Sequence, residues 1–290
     1  MDYLARETAP FAEDFWDKID GVVIETASRV LRARRFISLF GPLGIGADHI
    51  TVDKVDDLAQ TSEDGVMVTT GRKYLELPTL YEDFELLGKD METAKQAGYP
   101  LDLGKVAAAA ENCAVKEDKL IFFGHKDFQI EGLFTAKGSN KIKRMDWATG
   151  ENAFANIAEG ITLLAKAGIY GPYALALSQD LYLQLQRLQA GTGLLEIERV
   201  EKLLGGHVYP VPALGKEKAV LVAVDARNLD LVIGQDLAAA YLEQYGHHVD
   251  IVDLILEKYD HQPARLTLIL QAIQDEYRYL PMEVLSHVIE

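Results

Sequence analysis

Cysteine is all but missing: Cys113 stands alone among 290 residues. A disulfide within the chain, a CxxC redox pair and a four-cysteine zinc or iron–sulfur site are thereby excluded, and the composition suits a reducing cytoplasm. Basic residues are also in short supply, 29 Lys plus Arg against 45 Asp plus Glu, for a formal net charge of −16. Phosphate backbones and anionic bilayers both call for a concentrated basic face, so nucleic acid and membrane surfaces are excluded as main partners. No stretch reaches the roughly 18 uninterrupted apolar residues of a membrane span. The opening "MDYLARETAPFAEDFW" carries acids and lacks the apolar core of a secretory signal. P-loop, GxGxxG, GxSxG and HExxH motifs are all missing, so no catalytic residue is assigned.

What is present is an ordinary globular balance, 49% hydrophobic and 26% charged, long enough for one large domain or two ordinary ones. Phe11, Phe15, Ile19, Val22, Val23, Thr26 and Val30 recur at spacings of three and four, which predicts a first helix entered at Pro10. It runs into the basic "RVLRARRF" and stops at "GPLG" (Gly41–Gly44). Residues 48–87 read as strand, with "SEDG" (Ser62–Gly65) turning one arm into the other of a long hairpin. Such an arm is marginal alone and needs something to pack on. Helices are expected over 102–115, with Asp102 as N-cap, and over about 151–166. "GIYGPYALALS" reads as a turn and a short apolar strand, and Ser178 caps a helix that aligns Leu181, Leu185 and Leu188. "LLEIERVEKLLGG" is a helix ended by Gly205 and Gly206, and "HVYPVP", "KAVLVAV" and "LDLVI" are strands. Helices and strands mix without βαβ alternation, so the class is α+β.

The stretch "KEDKLIFFGHKDFQIEGLF" (Lys116–Phe134) concentrates Glu117, Asp118, His125 and Asp127. It reads as acidic turn, buried strand "KLIFF", bend at Gly124, and a return through Phe128, Ile130 and Leu133 to the core, with a bend at Gly132. His125 and Asp127 share a strand face, but a metal there needs further ligands from elsewhere. His247–His248, Glu257–His261 and Glu283–His287 read as surface pairs, and Cys113 as a small core residue; no metal site is assigned. Arg34 and Arg35 beside Phe36 admit two readings, complementing a helix dipole or anchoring a partner segment.

Taken together, "KEDKLIFFGHKDFQIEGLF", "GIYGPYALALSQDLYLQL", "LDLVIGQDLAAAYL" (Leu229–Leu242), "LARETAPFAEDFWDKIDG" (Leu4–Gly21) and "RARRFISLFGPLG" (Arg32–Gly44) resemble, collinearly over about residues 1–245, the encapsulins. These are nanocompartment shell proteins once grouped with linocin-type bacteriocins. The resemblance implies a tailed-phage major-capsid-like fold in a shell domain over 1–248, with an extended hairpin loop at about 48–75 and an axial region at about 135–222. It implies a non-enzymatic cytoplasmic subunit that assembles with itself into an icosahedral shell. The shell would enclose a cargo protein, ferritin-like for iron storage or a dye-decolourising peroxidase, through a C-terminal targeting peptide. By position, Leu31, Arg34, Ser38, Leu231 and Ile233 would line the groove for that peptide, and Gly191, Thr192 and Gly193 a pore. The family often has an acid where this chain has Ser38. Some members stack a flavin on tryptophan; "YEDFELLGKD" offers Phe84 and no tryptophan, so no cofactor is expected.

The tail, 249–290, departs from that pattern: Leu266, Ile269, Ile273, Tyr277 and Leu280 follow helical spacing and Pro281 opens another helix. It resembles the N-terminal helices of 24-kilodalton-type NADH dehydrogenase and hydrogenase subunits. The cysteines of their [2Fe–2S] cluster are missing. Two alternatives therefore stand beside the shell: a peptidase or bacteriocin-like enzyme using His125 and Asp127, and an electron-transfer accessory acting through the tail.

Overall fold

The computed structural model describes residues 4–9, 11–52, 59–63, 66–189, 191 and 193–241. The expected helical tail, its histidine pairs and Thr192 lie outside the described residues. Two compact units divide the chain, Phe11–Ala239 and one that joins Met1–Pro10 to Ala240–Glu290. In the latter, Arg6–Thr8 form a 3₁₀ turn and the Tyr241 amide donates to the Leu4 carbonyl at 2.8 Å.

The larger unit opens with α1 (Glu13–Val30), a 3₁₀ turn (Ala33–Arg35) and β1 (Ser38–Phe40). Strands β2 (His49–Thr51), β3 (Ala59–Glu63), β4 (Val66–Thr70) and β5 (Tyr74–Glu76) follow, then α2 (Gly88–Ala97) and α3 (Gly104–Phe123). After β6 (Gly124–His125) and β7 (Ile130–Glu131) come α4 (Asn152–Lys166), β8 (Tyr173–Leu177), α5 (Gln179–Leu185) and α6 (Glu196–Leu204). The described chain closes with β9 (Val208–Pro210), β10 (Ala219–Ala223) and β11 (Asp230–Val232). The architecture is α+β, as the pattern of elements predicts.

Two helices carry the N-terminal part. α1 buries Trp16, Ile19, Val23 and Ala27; of the predicted stripe only Ile19 and Val23 are buried, while Phe15, Val22, Thr26 and Val30 are half-buried. It packs on α3, whose buried face is mostly small: Ala109, Ala110, Cys113 and Ala114. Small residues let the backbones approach closely, and burial of Ile19 or Val23 contributes about 1.5–3 kcal/mol each.

β8 is the pivot between two cores. It pairs antiparallel with β10 and parallel with β9. Tyr173, Leu175 and Leu177 enter one core with Trp147, Ile157, Leu181, Leu185, Val200 and Leu204. Ala174 and Ala176 enter the other with Phe36, Ile37, Phe122, Val211 and Leu214. Side chains alternate with period two, so a strand covered on both faces must be apolar throughout, which is why "YALAL" reads as it does.

Where the long hairpin is expected the structure shows two paired stretches, and residues 53–58 and 64–65, its turn included, lie outside the described residues. β2 pairs with β5 from His49 opposite Glu76 to Thr51 opposite Tyr74, and β3 with β4 from Ala59 opposite Thr70 to Glu63 opposite Val66. Val52, Met67, Tyr74 and Leu75 are exposed along it.

Several expectations are corrected. α3 does not end at residue 115; it continues unbroken through "KEDKLIFF" to Phe123. Lys, Glu and Leu favour helix, nothing breaks the run before Gly124, and a short apolar run does not by itself distinguish buried strand from buried helix. Gly124 (φ +68°) then closes the helix, and a Cβ there would lie 2.1 Å from the Ile130 carbonyl oxygen, so the bend is obligatory. Phe128 does not return to the core: it is 72% exposed on the β6–β7 turn, with its ring 4.5 Å from that of His125. His125 and Asp127 are likewise exposed. α1 ends at Val30 rather than at "GPLG", which instead runs beside Ile233 and Gly234. α5 ends at Leu185, leaving Leu188 exposed. α2 lies in a stretch for which no helix was expected.

Candidate functional site

The expected groove residues gather where α1 gives way to β1. At the end of α1 the Leu31 amide donates to the Ala27 carbonyl at 2.9 Å, and the chain tightens into the Ala33–Arg35 turn. That turn is gripped from α3. The Asp118 carboxylate, only 2% exposed, accepts from the Arg32 amide at 3.0 Å and the Ala33 amide at 3.1 Å. It thus caps donors that would otherwise be orphaned at the turn's start. Burial pushes the Asp118 carboxyl above the ordinary carboxylate range, against the pull of the two amides and of Arg32.

Glu117, one residue earlier on α3, takes the side chain of the same turn. Arg34 Nε and Nη2 donate to its two oxygens at 2.6 and 2.8 Å, a bidentate pair, and Nη1 donates to Asp236 Oδ1 at 2.6 Å. The hydrogen bonds to Glu117, then those to Asp236, outweigh burial and hold the guanidinium above its already high ordinary pKa. Arg34 therefore serves first as an internal bracket between the turn, α3 and the segment after β11.

β1 next pairs parallel with β11, setting Ser38 opposite Asp230 and Leu39 opposite Leu231. The Ile233 amide donates to the Phe40 carbonyl at 2.9 Å, and the Leu43 and Gly44 amides donate to the Ile233 and Gly234 carbonyls at 2.9 and 2.8 Å. This approach demands Gly41: its φ is +123°, and a Cβ would stand 2.3 Å from the Ile233 oxygen.

The fold thus brings Ser38, Leu231 and Ile233 to one two-stranded edge, with Arg34 in the turn that leads into it. Leu31 is buried with Ala27 and Ala114, and Val30 and Leu237 pack on them. Leu231 is half-buried against the core of Phe36 and Ile37, and Ile233 is buried. Leu39, Phe40, Leu43 and Ile45 stand largely exposed beside this edge. Gly191 and Gly193, away in the segment between α5 and α6, have φ of +79° and +70°. The sequence reading singled out Glu117 and Asp118 but as charges of an acidic turn, and it missed their partners and Asp236. The signal was available: Val106, Ala110, Ala114, Asp118 and Phe122 recur every four residues, so a helix through them places a charge in a buried stripe.

Among the described residues, no group of three or more His, Cys, Asp and Glu side chains is placed to hold a metal ion. No helix among them is long and apolar enough to cross a membrane. Cys113 is buried, and burial pushes its thiol pKa up, the opposite of an activated nucleophile.

A family model described as "Encapsulating protein for peroxidase" (Linocin_M18) matches residues 1–256. The type 1 encapsulin shell protein EncA of Myxococcus xanthus is 35% identical over 276 residues, covering 92% of this chain and 96% of that protein. A diheme-cytochrome-encapsulin shell fusion protein of Kuenenia stuttgartiensis is 33% identical over 234 residues, covering 78% of this chain and 64% of its own length. Among solved structures, a virus-like particle from Pyrococcus furiosus superposes with a TM-score of 0.60 at 16% identity, over 78% of this chain and 85% of that one. That likeness establishes the capsid-like fold and nothing finer. A match across most of the chain, with a relative of this identity and coverage, makes the chain a member of the encapsulin shell protein family with the fold of a virus-like particle.

Proposed function

We propose that the chain is a structural, non-enzymatic subunit whose copies close into a nanocompartment around a cargo protein. The observation that carries this reading is the end-to-end match to a shell protein, 92% of this chain against 96% of that one. The hairpin supports it physically. Its two short ladders leave Val52, Met67, Tyr74 and Leu75 exposed, an arrangement that is marginal alone and is completed when the arm lies on a neighbouring copy. Closed symmetry would present the same patches around every axis.

Cargo would be a ferritin-like protein or a peroxidase held by a C-terminal peptide along the β1–β11 edge. Leu231 and the exposed Leu39 and Phe40 offer it apolar contact. Leu31 and Ile233 are both buried and offer a peptide little surface of their own. Asp230, exposed opposite Ser38, supplies a carboxylate at the edge. The cytoplasm is the compartment that suits such a shell, and Gly191, Thr192 and Gly193 would border a passage through its wall. Size-exclusion chromatography and negative-stain microscopy of the purified chain test the reading. Closed shells are expected, and Tyr74→Ser/Leu75→Ser should abolish them while leaving the circular dichroism of the subunit unchanged. Monomers or small oligomers from the unaltered chain would overturn it.

A further inference from the structure

The last turn of α1 and the 3₁₀ turn after it carry Arg29, Arg32, Arg34 and Arg35 and no acid. Most of these cations have acceptors within the chain. Arg29 pairs with Glu25 one turn back, Arg34 is bracketed by Glu117 and Asp236, and Arg35 Nη2 donates to the Ser28 carbonyl at 3.2 Å. Arg32 is different: its Nε is buried with no hydrogen-bond partner among the described residues.

The backbone sets Arg32 and Arg35 on one face. The Arg35 amide donates to the Arg32 carbonyl at 3.1 Å, closing the 3₁₀ turn, and side chains three apart in such a turn eclipse one another. Arg35 reaches back along α1 to Ser28, which stands four residues before Arg32 and so on the same side of the helix line. Asp118 does not neutralise the pair, because its two oxygens accept from the Arg32 and Ala33 amides. By holding those amides it fixes the point from which the Arg32 side chain departs. Burial first, then the Arg35 charge, press the Arg32 guanidinium below its ordinary pKa, with Asp118 opposing them. Complementing the helix dipole accounts for Arg35, which sits on a helix carbonyl, and not for Arg32.

An anion answers each of these features. An acceptor would satisfy the buried N–H, and a negative charge between the two guanidinium groups would turn their repulsion into a shared attraction. The carbonyl end of α1 sets only about half a negative charge against their two positive ones. A carboxylate is satisfied by one guanidinium fork, whereas a tetrahedral phosphate keeps further oxygens for a second. We propose that Arg32 and Arg35 form a receptor for one inorganic phosphate ion at the C-terminal end of α1. The receptor is built within one subunit and does not depend on the shell reading above.

The test is equilibrium dialysis of the purified chain against radiolabelled inorganic phosphate, with ionic strength held by chloride. Saturable binding of one phosphate per subunit is expected, with a dissociation constant on the order of 1 mM or tighter. Acetate should compete about tenfold more weakly than phosphate. Arg32→Gln and Arg35→Gln should each weaken binding about tenfold or more, the loss of a charge-assisted bond, while Arg29→Gln leaves it unchanged. Binding without saturation, binding untouched by Arg32→Gln, or acetate competing as well as phosphate overturns the proposal. Should Arg32→Gln fail to fold by circular dichroism, Arg32→Lys decides the matter: it keeps the charge but loses the fork, so binding should still weaken severalfold, and undiminished binding overturns the site.

Discussion

Arg34→Ala removes a guanidinium that makes two hydrogen bonds to Glu117 and one to Asp236. The two arms of this bracket differ in worth. Arg34 and Glu117 side chains are 18% and 14% exposed, whereas Asp236 is 60% exposed. Between the first two, water competes poorly, and a charge-assisted bond contributes about 1.5–3 kcal/mol. Deleting one partner also strands the other's charge in a partly desolvated place. The exposed Asp236 arm is worth about 0–1 kcal/mol. Urea unfolding of subunits released from shells, followed by the emission of the buried Trp16 and Trp147, reads these costs. Arg34→Ala should cost about 3 kcal/mol and Asp236→Ala under about 1 kcal/mol. Arg34→Ala/Glu117→Ala should fall short of the summed single costs by at least about 1 kcal/mol, the coupling of the pair. Cargo loading on the same variants separates bracket from contact. Loading should fall in Arg34→Ala, because the turn leading into β1 loosens, and persist in Asp236→Ala, whose bidentate pair is intact. A coupling below about 0.5 kcal/mol, or loss of loading in Asp236→Ala as complete as in Arg34→Ala, refutes the bracket.

The same turn yields a second prediction: Asp118→Ala orphans the Arg32 and Ala33 amides and should cost about 1–3 kcal/mol, with Asp118→Asn recovering part of it. Because burial raises the Asp118 pKa, the folded state holds the proton more tightly than the unfolded chain does. Stability of the unaltered protein should therefore fall as pH climbs from about 4 through the raised value, then level off, and urea midpoints of Asp118→Asn should lack that slope; a slope that persists in Asp118→Asn contradicts the assignment. Gly41→Ala forces a left-handed backbone on alanine and a Cβ against the Ile233 carbonyl. It should cost on the order of 1–3 kcal/mol and speed hydrogen exchange at the Ile233 and Leu43 amides, and unchanged exchange there would count against the required close approach.

Much of the fold was legible because its elements carry one-sided patterns. The stripe of α1 repeats at helical spacing through five turns, so the helix was legible, although its buried line runs to one side of that stripe, through Trp16, Ile19, Val23 and Ala27. β8 was legible for the opposite reason: covered on both faces, it admits no polar residue, and a five-residue apolar run after a glycine–proline turn has few other uses. The hairpin announced itself by strand-rich arms around "SEDG" and by its evident lack of anything to pack on. Element ends were less legible. α1 stops at Val30 because Asp118, 88 positions away in the chain, supplies the acceptors that hold the next turn, and local sequence does not contain that information.

The site was hidden by one misplaced boundary. Ending α3 at residue 115 turned Glu117 and Asp118 into surface charges of a turn, and a turn charge asks for no partner. Extending the helix to Phe123 changes the physical question. Asp118 then lies one turn from Ala114 and one turn from Phe122, both fully buried, so it must be paired or capping backbone. Glu117, displaced about 100° around the same helix, cannot share that partner and must find a second. Two acids in succession on one half-buried helix thus imply a donor-rich segment folded over both. Among the basic stretches, "RVLRARRF" has both free backbone donors at a helix end and arginines beside them. The geometry bears this out residue by residue: backbone amides for Asp118, a guanidinium for Glu117. The two readings first open for Arg34, dipole complement or anchor, both looked outward from the helix end, whereas its donors turn inward. The cargo peptide proposed for the β1–β11 edge would therefore meet a turn whose Arg34 guanidinium is already paired within the chain, and the surface left for it to contact is the apolar face of Leu39, Phe40 and Leu231 and the carboxylate of Asp230.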